Sequence, residues 1–270
     1  MYRKLTYIKH EYDLELFRID EYDTKNRLVY NKINNQEGVL ETKIKYDDFG
    51  NVILEENFVD GKMSDYTVTE FNNDNEPISI SVFIQDELYE KTVITKSGNV
   101  ETSISTVDGV ESLKTITETN EINTILTEYE YGEFIRKVVS VDTEQGRKET
   151  IYDENNNITF YENYEFDEDD NILRHEVFNP ILEKVALEVR NYHNGNIIDI
   201  TYESIEEYQY YTYEYDTNNN LINYKIKDKK DNVLGFDKSV FDDQNREIET
   251  IAYSMGFQPI HYEIKYEEIN

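Results

Sequence analysis

The sequence predicts an all-β chain: an antiparallel meander of about twenty short strands, built from tandem β-hairpin repeats into an elongated or curled sheet. Three observations predict it. Ala, the strongest helix former, occurs only at Ala186 and Ala252 in 270 residues. The 24 Tyr and 12 Phe, with Ile, Val and Thr, are residues that suit a pleated, half-buried surface. Turn signals recur roughly every 12 residues, which leaves room for strands of about 7–9 residues. Helix is expected in less than about one-tenth of the chain.

The elements follow in order. Residues 1–20 read as N-terminal capping strands. Repeats run through 21–255, degenerate at 95–150, and 256–270 reads as a C-terminal strand, so that 1–270 forms one repeat domain. Each repeat opens on an aromatic followed by Asp or Asn, then a polar turn, then apolar residues. Tyr22-Asp23, Tyr46-Asp47, Phe71-Asn72, Tyr152-Asp153, Phe166-Asp167, Tyr192-His193, Tyr215-Asp216 and Phe241-Asp242 are the instances. The Asp or Asn side chain can cap its own turn, and Asn or Gly accepts the left-handed backbone of a tight reversal. Second turns fall at Asn34–Gly38, Asp60-Gly61, Asp108-Gly109, Glu144–Gly146 and Lys229–Asn232. Period-2 alternation supports strands over 157–166, 221–227 and 246–253, and Glu162 is the one charged member of the Ile158, Phe160, Tyr164, Phe166 face. Pro77, Pro180 and Pro259 are placed in turns.

Composition excludes several classes of function. Without cysteine there is no disulfide scaffold, thiolate nucleophile or Cys-ligated metal. No run approaches the ~18 apolar residues of a membrane helix, and MYRKLTYIKHEYD lacks the apolar stretch of a secretory signal. A cytoplasmic location is therefore expected. A net charge of −31 argues against nucleic acid and anionic lipid as partners. His10, His175, His193 and His261 form no spaced ligand pair. Asp153–Asn157 and Asp216–Asn220 look like the start of a calcium loop, but the completing positions hold Ile158 and Tyr164, or Leu221 and Lys227. Neither a metal nor a cofactor is expected, and no catalytic constellation stands out.

The repeat resembles the YD repeat of Rhs-type proteins, on YDDFGNVI at Tyr46–Ile53, YDENNNI at Tyr152–Ile158 and YDTNNNLI at Tyr215–Ile222. That resemblance implies a hairpin array. The chain is too short and too poor in Gly to enclose a cargo as the large members do. The resemblance also implies a short immunity protein of a polymorphic toxin system.

Charge supplies the remaining functional signal. Residues 51–200 carry 33 acidic and 11 basic side chains, a balance of −22. Glu165, Asp167, Glu168, Asp169 and Asp170 form the densest run, and Glu203, Glu206 and Glu207 follow at a later hairpin. Such acids solubilise a strand-rich protein and guard sheet edges, or they form a surface for a basic partner. Tyr208, Tyr211 and Tyr213, in a dense tyrosine stretch, read either as interface anchors or as a cross-strand ladder. The resulting expectation is a non-enzymatic acidic binding module. Its main form is an immunity or antitoxin-type inhibitor occluding a basic, nuclease-type toxin, with neither nucleic acid nor membrane as partner. A structural or surface-associated repeat protein is the alternative, and a carbohydrate-binding role is disfavoured by the lack of Trp.

Overall fold

A computed structural model describes residues 1–10, 13–35 and 38–269. The strands β1 to β8 are Tyr2–Lys9, Leu14–Tyr22, Leu28–Asn35, Gly38–Tyr46, Val52–Val59, Lys62–Phe71, Pro77–Ile84 and Glu87–Ser97. Then β9 to β15 are Val100–Val107, Val110–Thr119, Thr124–Glu130, Glu133–Thr143, Gly146–Tyr152, Ile158–Phe166 and Ile172–Phe178. Finally β16 to β22 are Lys184–His193, Asn196–Ser204, Tyr208–Tyr215, Leu221–Lys227, Val233–Phe241, Glu247–Ser254 and Ile260–Glu268. All 22 belong to one sheet. No helix occurs among the described residues.

The repeated motif encodes a specific local structure. Among the described residues, nine hairpins close on a five-residue loop, starting at Asp23, Asp47, Asn72, Asp153, Asp167, Asn179, Asp216, Asp228 and Asp242. The first residue's N–H donates to the fifth residue's carbonyl, and the fourth residue's N–H donates back to the first. In the Asp47 loop, the carboxylate accepts from the N–H groups of Phe49, Gly50 and Asn51 at 2.8–2.9 Å. The fourth residue takes a left-handed backbone, with Asn26, Asn75, Asn156, Asn219 and Asn245 at φ 61–71°, which Asn tolerates better than most residues. Just before each loop the strand register slips by one residue, at Tyr22, Tyr46, Phe71, Tyr152, Phe166, Phe178, Tyr215, Lys227 and Phe241. Such a bulge re-aims the chain into the loop. The aromatic therefore marks a bulge as well as a strand end.

Other hairpins use two-residue turns with both residues at positive φ, at Asp60-Gly61, Gln85-Asp86, Asp108-Gly109, Tyr131-Gly132 and Asn194-Gly195. This geometry matches the twist of the flanking strands. Within the expected Asn34–Gly38 turn, residues 36 and 37 lie outside the described residues. Pro77 differs from expectation. It is the first residue of β7, paired with Phe71 at the bulge, a position that needs no ladder N–H.

The expected open or curled sheet is corrected by the pairing of its ends. β1 is hydrogen-bonded to β2, with Leu5 opposite Ile19, and on its other side to β22, with Leu5 opposite Lys265. The sheet closes on itself as a single 22-stranded antiparallel β-barrel. Closure gives β1 and β22 the partners that an open array would have left unmade.

The chain divides into two compact units. The first comprises Met1–Ile116, Tyr129–Glu133 and Tyr262–Asn270, and the second Thr117–Glu128 and Phe134–His261. Neither has a thick core. Among the described residues the buried apolar side chains are Leu5, Val138 and Ile264. The accessible surface is 17875 Å² for 32.2 kDa, whereas a compact monomer of that mass exposes about 12,300 Å². Water reaches both faces of the sheet.

Candidate functional site

Polar side chains, paired along the rows of the sheet, take the place that a core would occupy. In the first unit one such row runs Lys4, Asp20, Asn31, Thr42, Asn57, Asp65. Asn31 Nδ2 donates to Asp20 at 2.6 Å, Thr42 Oγ1 to Asn57 at 2.9 Å, and Asn57 Nδ2 to Asp65 at 2.8 Å. Asp20 is only 3% exposed, and Arg18 Nε also donates to it at 2.9 Å. The opposite face carries the row Glu267, Arg3, Glu21, Tyr30, Lys43, Glu56, Tyr66, Phe83. Arg3 pairs with Glu21, and Tyr66 stacks on Phe83 at 4.6 Å. Burial, reinforced by the hydrogen bond to Glu41, pushes the Tyr30 hydroxyl up to about 12. Both faces thus hold charge in mid-strand.

The second unit concentrates its chemistry on β12–β15. Glu162 accepts from Tyr164 Oη at 2.6 Å and lies 2.8 Å from His175 Nε2, both at the same carboxylate oxygen. The Tyr164 and His175 rings stack at 4.2 Å, 6° from parallel. The His175 hydrogen bond, helped by Tyr164 and the charge of Arg136, holds the Glu162 carboxyl below its ordinary range despite burial. Burial and Glu162 in turn raise the Tyr164 hydroxyl. Glu149 stands directly opposite Glu162 and accepts from Ser140 Oγ at 3.0 Å. A carboxylate already engaged by two neighbours is organised as a structural node, which ties β14 to β15 through His175. Sequence alternation had a signal for it, since Glu162 is the lone charge on an apolar face.

The residues expected to bind a partner do not form one surface. Asp167–Asp170 occupy the loop after β14, whereas Glu203, Glu206 and Glu207 flank the loop after β17. An antiparallel meander puts these loops at opposite ends of the strands, roughly 25–30 Å apart. Several of the acids are already engaged inside the protein. Asp167 accepts from the N–H groups of Asp169 and Asn171, and the Asn171 side chain with those amides holds its carboxyl low. Asp170 supplies the left-handed position of that loop, and Glu165 pairs in register with Arg174. Glu168 lies in the loop with Asp169, and Glu203 pairs with Lys229 at 3.3 Å. Tyr213 and Tyr211 lie 5.1 and 6.2 Å from Tyr224, and burial pushes the Tyr213 hydroxyl up to about 12. This is ladder packing. The calcium-like loops likewise turn their first Asp inward: Asp153 and Asp216 each accept two backbone N–H groups. A groove of about 600 Å³ beside the Asp167 loop is lined by Asp142, Arg147, Phe166, Asp167 and Asp170, with Arg147 paired to Asp142 at 2.8 Å.

No family model and no curated protein matches the chain. Among solved structures, a porin-like protein from Bacteroides uniformis aligns over 98% of this chain and 97% of that one, with 9% identity and a TM-score of 0.33. A porin-like protein from Bacteroides vulgatus aligns over 98% of each chain, with 8% identity and a TM-score of 0.24. The Photorhabdus luminescens Tc holotoxin pore aligns over 91% of this chain and 19% of that chain, with 9% identity and a TM-score of 0.21. The YD-repeat resemblance and the immunity or antitoxin reading are overturned, together with the basic partner, the exclusion of membrane and the cytoplasmic location. The ladder closes on itself where an open repeat array would run on, and a closed β-barrel is a form in which a chain without an apolar helix can meet a membrane.

Proposed function

We propose that the protein is a structural, surface-associated β-barrel, whose work is done by the closed sheet and its loop rims rather than by a reaction centre. The observation that carries this reading is a sheet wetted on both faces, with three buried apolar side chains among the described residues. Its polar groups are spent on one another: the Asp20–Asp65 row and the Glu162 node tie neighbouring strands together. A barrel immersed in lipid along its strands presents an apolar band about 25 Å tall. Here Arg3, Glu21, Lys43 and Glu56 lie on one face, and Lys4, Asp20 and Asp65 on the other. That pattern supports association with a surface through the strand ends.

Labelling intact native cells with a membrane-impermeant amine reagent, followed by fractionation, tests the reading. Labelled protein in the envelope fraction is expected. Recovery only as unlabelled protein in the soluble interior would overturn it.

A further inference from the structure

The second unit carries an uneven set of loop tips. Its large apolar side chains exposed by 60% or more are Ile122, Ile181, Leu182, Ile205, Met255 and Phe257. Five of these, all but Ile122, lie in the loops after β15, β17 and β21. Odd-numbered strands of an antiparallel meander all finish at one end, so these tips share a rim. Neighbouring loops on that rim are spaced by two strands, roughly 10 Å.

Leu182 shows that this exposure carries a conformational cost. It occupies the left-handed fourth position of its loop, at φ 63°, where the other capped loops place Asn, Asp or Gly. A bulky apolar residue gains nothing there from its backbone and is 67% exposed. Local folding favours Asn at this position, so the leucine points to a contact outside the chain.

The loop after β19, on the same rim, shows which contact. A groove of about 340 Å³ separates it from the Ile205 loop, lined by Glu203, Glu206, Glu207, Tyr208, Asp228 and Lys229 among others. The Lys229 ammonium sits 5.7 Å from the Tyr208 ring centre and 3.3 Å from Glu203. Lys229 itself fills that aromatic face, and the four carboxylates of the lining outnumber Lys229 and Lys230 by two, which leaves the groove a net acidity that draws a choline or ethanolamine ammonium. Separate apolar tips, roughly 10 and 20 Å apart along the rim, suit a lipid interface, which accepts apolar groups at any spacing, better than a protein groove of fixed shape.

We infer that this rim of the second unit, through Ile181, Leu182, Ile205, Met255 and Phe257, docks on a zwitterionic phospholipid bilayer, with headgroup ammonium drawn to the acidic groove beside Tyr208. The inference rests on the surface-associated reading and adds the surface and its chemistry. The tips enter the headgroup–acyl boundary while the charged strands remain in water. With −31 on the chain, anionic lipid repels it.

Flotation of the full chain with phosphatidylcholine vesicles tests the inference. Binding is expected, weakening as phosphatidylglycerol is added. Ile205→Ser and Leu182→Asn should each reduce partitioning roughly tenfold, the scale of withdrawing one large apolar side chain. Leu182→Asn installs the residue its backbone prefers, so lost binding there cannot be ascribed to misfolding. Phe257→Trp gives the chain its sole tryptophan, whose emission should shift to the blue on binding and be quenched by brominated lipid. Absence of flotation, binding that rises with phosphatidylglycerol, or indifference to both tip substitutions would overturn the inference. Those results leave the cell-labelling result untouched, whereas an interior location would overturn the surface reading even if vesicles bound.

Discussion

The two compact units use the same strand chemistry and end their strands differently. In the first, five-residue capped loops follow β2, β4 and β6, and two-residue turns follow β5, β7, β9 and β11. Capped loops thus occupy one end of the strands and tight turns the other. In the second, capped loops follow β13, β14, β15, β18, β19 and β20, at both ends, and Asn194-Gly195 supplies a two-residue turn. A capped loop carries a bulge and presents a wider tip, whereas a two-residue turn presents two residues, Asp-Gly, Gln-Asp or Asn-Gly and once Tyr131-Gly132. Loop type therefore sets how many residues each tip displays. A capped loop of the second unit displays Ile181 and Leu182, whereas tight turns of the first display Asp60-Gly61 and Asp108-Gly109.

Glycine substitution breaks the comparison most severely. A Cβ on Gly146, at φ +136°, would lie 1.8 Å from the Tyr164 carbonyl oxygen. Neither backbone can yield without losing the ladder that holds Arg147 opposite Tyr164. Gly146→Ala is expected to cost about 3 kcal/mol or more. Gly61, at φ +74° in a tight turn of the first unit, has open space around its missing Cβ. Gly61→Ala should cost only its backbone strain, about 1 kcal/mol. Urea unfolding of both variants measures the difference, and equal costs would show that the close approach at Gly146 relaxes freely.

The polar nodes come next. Asp20 is nearly buried, and its removal strands Asn31 and Arg18. Asp20→Ala should cost about 3 kcal/mol, the scale for breaking a buried charged network. Glu162 is more accessible, and its loss strands His175 and Tyr164 while relieving its opposition to Glu149. Glu162→Ala should cost less, about 1–2 kcal/mol. The ranking would reverse if relief from Glu149 were negligible and the Tyr164–His175 stack depended on the carboxylate.

These nodes mark the limit of what the sequence shows. The strands and capped turns were legible because their signals are local. Tyr46-Asp47 and Gly50-Asn51 lie within six residues, and the Asp47 carboxylate binds amides inside the same turn. Closure was not legible. It pairs Tyr2 with Glu268 and Leu5 with Lys265, a choice made across the whole chain by strands with no distinguishing pattern. The separation of the acidic residues was not legible for a related reason. Composition reveals that Asp167–Asp170 and Glu203–Glu207 are acidic, but strand count decides that they face opposite ends. Leu182 could have been suspected, because it stands where sister loops have Asn, had the Asn179–Glu183 stretch been aligned with them.

Acid should sharpen the comparison between units. Hydrogen bonds from the Asn side chain four residues on, together with backbone amides, hold the carboxyls of Asp153, Asp167, Asp216 and Asp228 below their ordinary value. Arg246 does the same for Asp242. In the first unit the Arg27 amide lowers Asp23, and Asn51 with the loop amides lowers Asp47 against desolvation. A carboxyl depressed in the folded state stabilises fully above its unfolded value, about 3.9, and that stabilisation is lost as pH falls through the folded value. Five such caps lie in the second unit and two in the first. Hydrogen exchange at decreasing pH, corrected for intrinsic rates, should therefore show loop protection lost more widely in residues 153–246 than in 23–76. Uniform loss would mean that strand pairing, not capping, sets loop stability.

The smallest expected effect concerns contacts between successive capped loops. In the first unit Asn51 Nδ2 donates to Asn75 Oδ1 at 2.8 Å, and in the second Asn220 Nδ2 donates to Asn245 Oδ1 at 2.6 Å. Both acceptors hold left-handed backbone, at φ 67° and 64°. Replacement by Gly keeps that conformation open and removes the acceptor, while Asp keeps the acceptor. These contacts are exposed, so Asn75→Gly and Asn245→Gly should each cost only about 0.5 kcal/mol, and the Asp variants less. The informative measurement is the double change. The two sites lie in different units with no shared partner, so their costs should add within about 0.3–0.5 kcal/mol. A larger interaction energy would show that loop contacts in one unit are felt in the other, making the closed hydrogen-bond ladder a mechanical link as well as a seal on the strand edges.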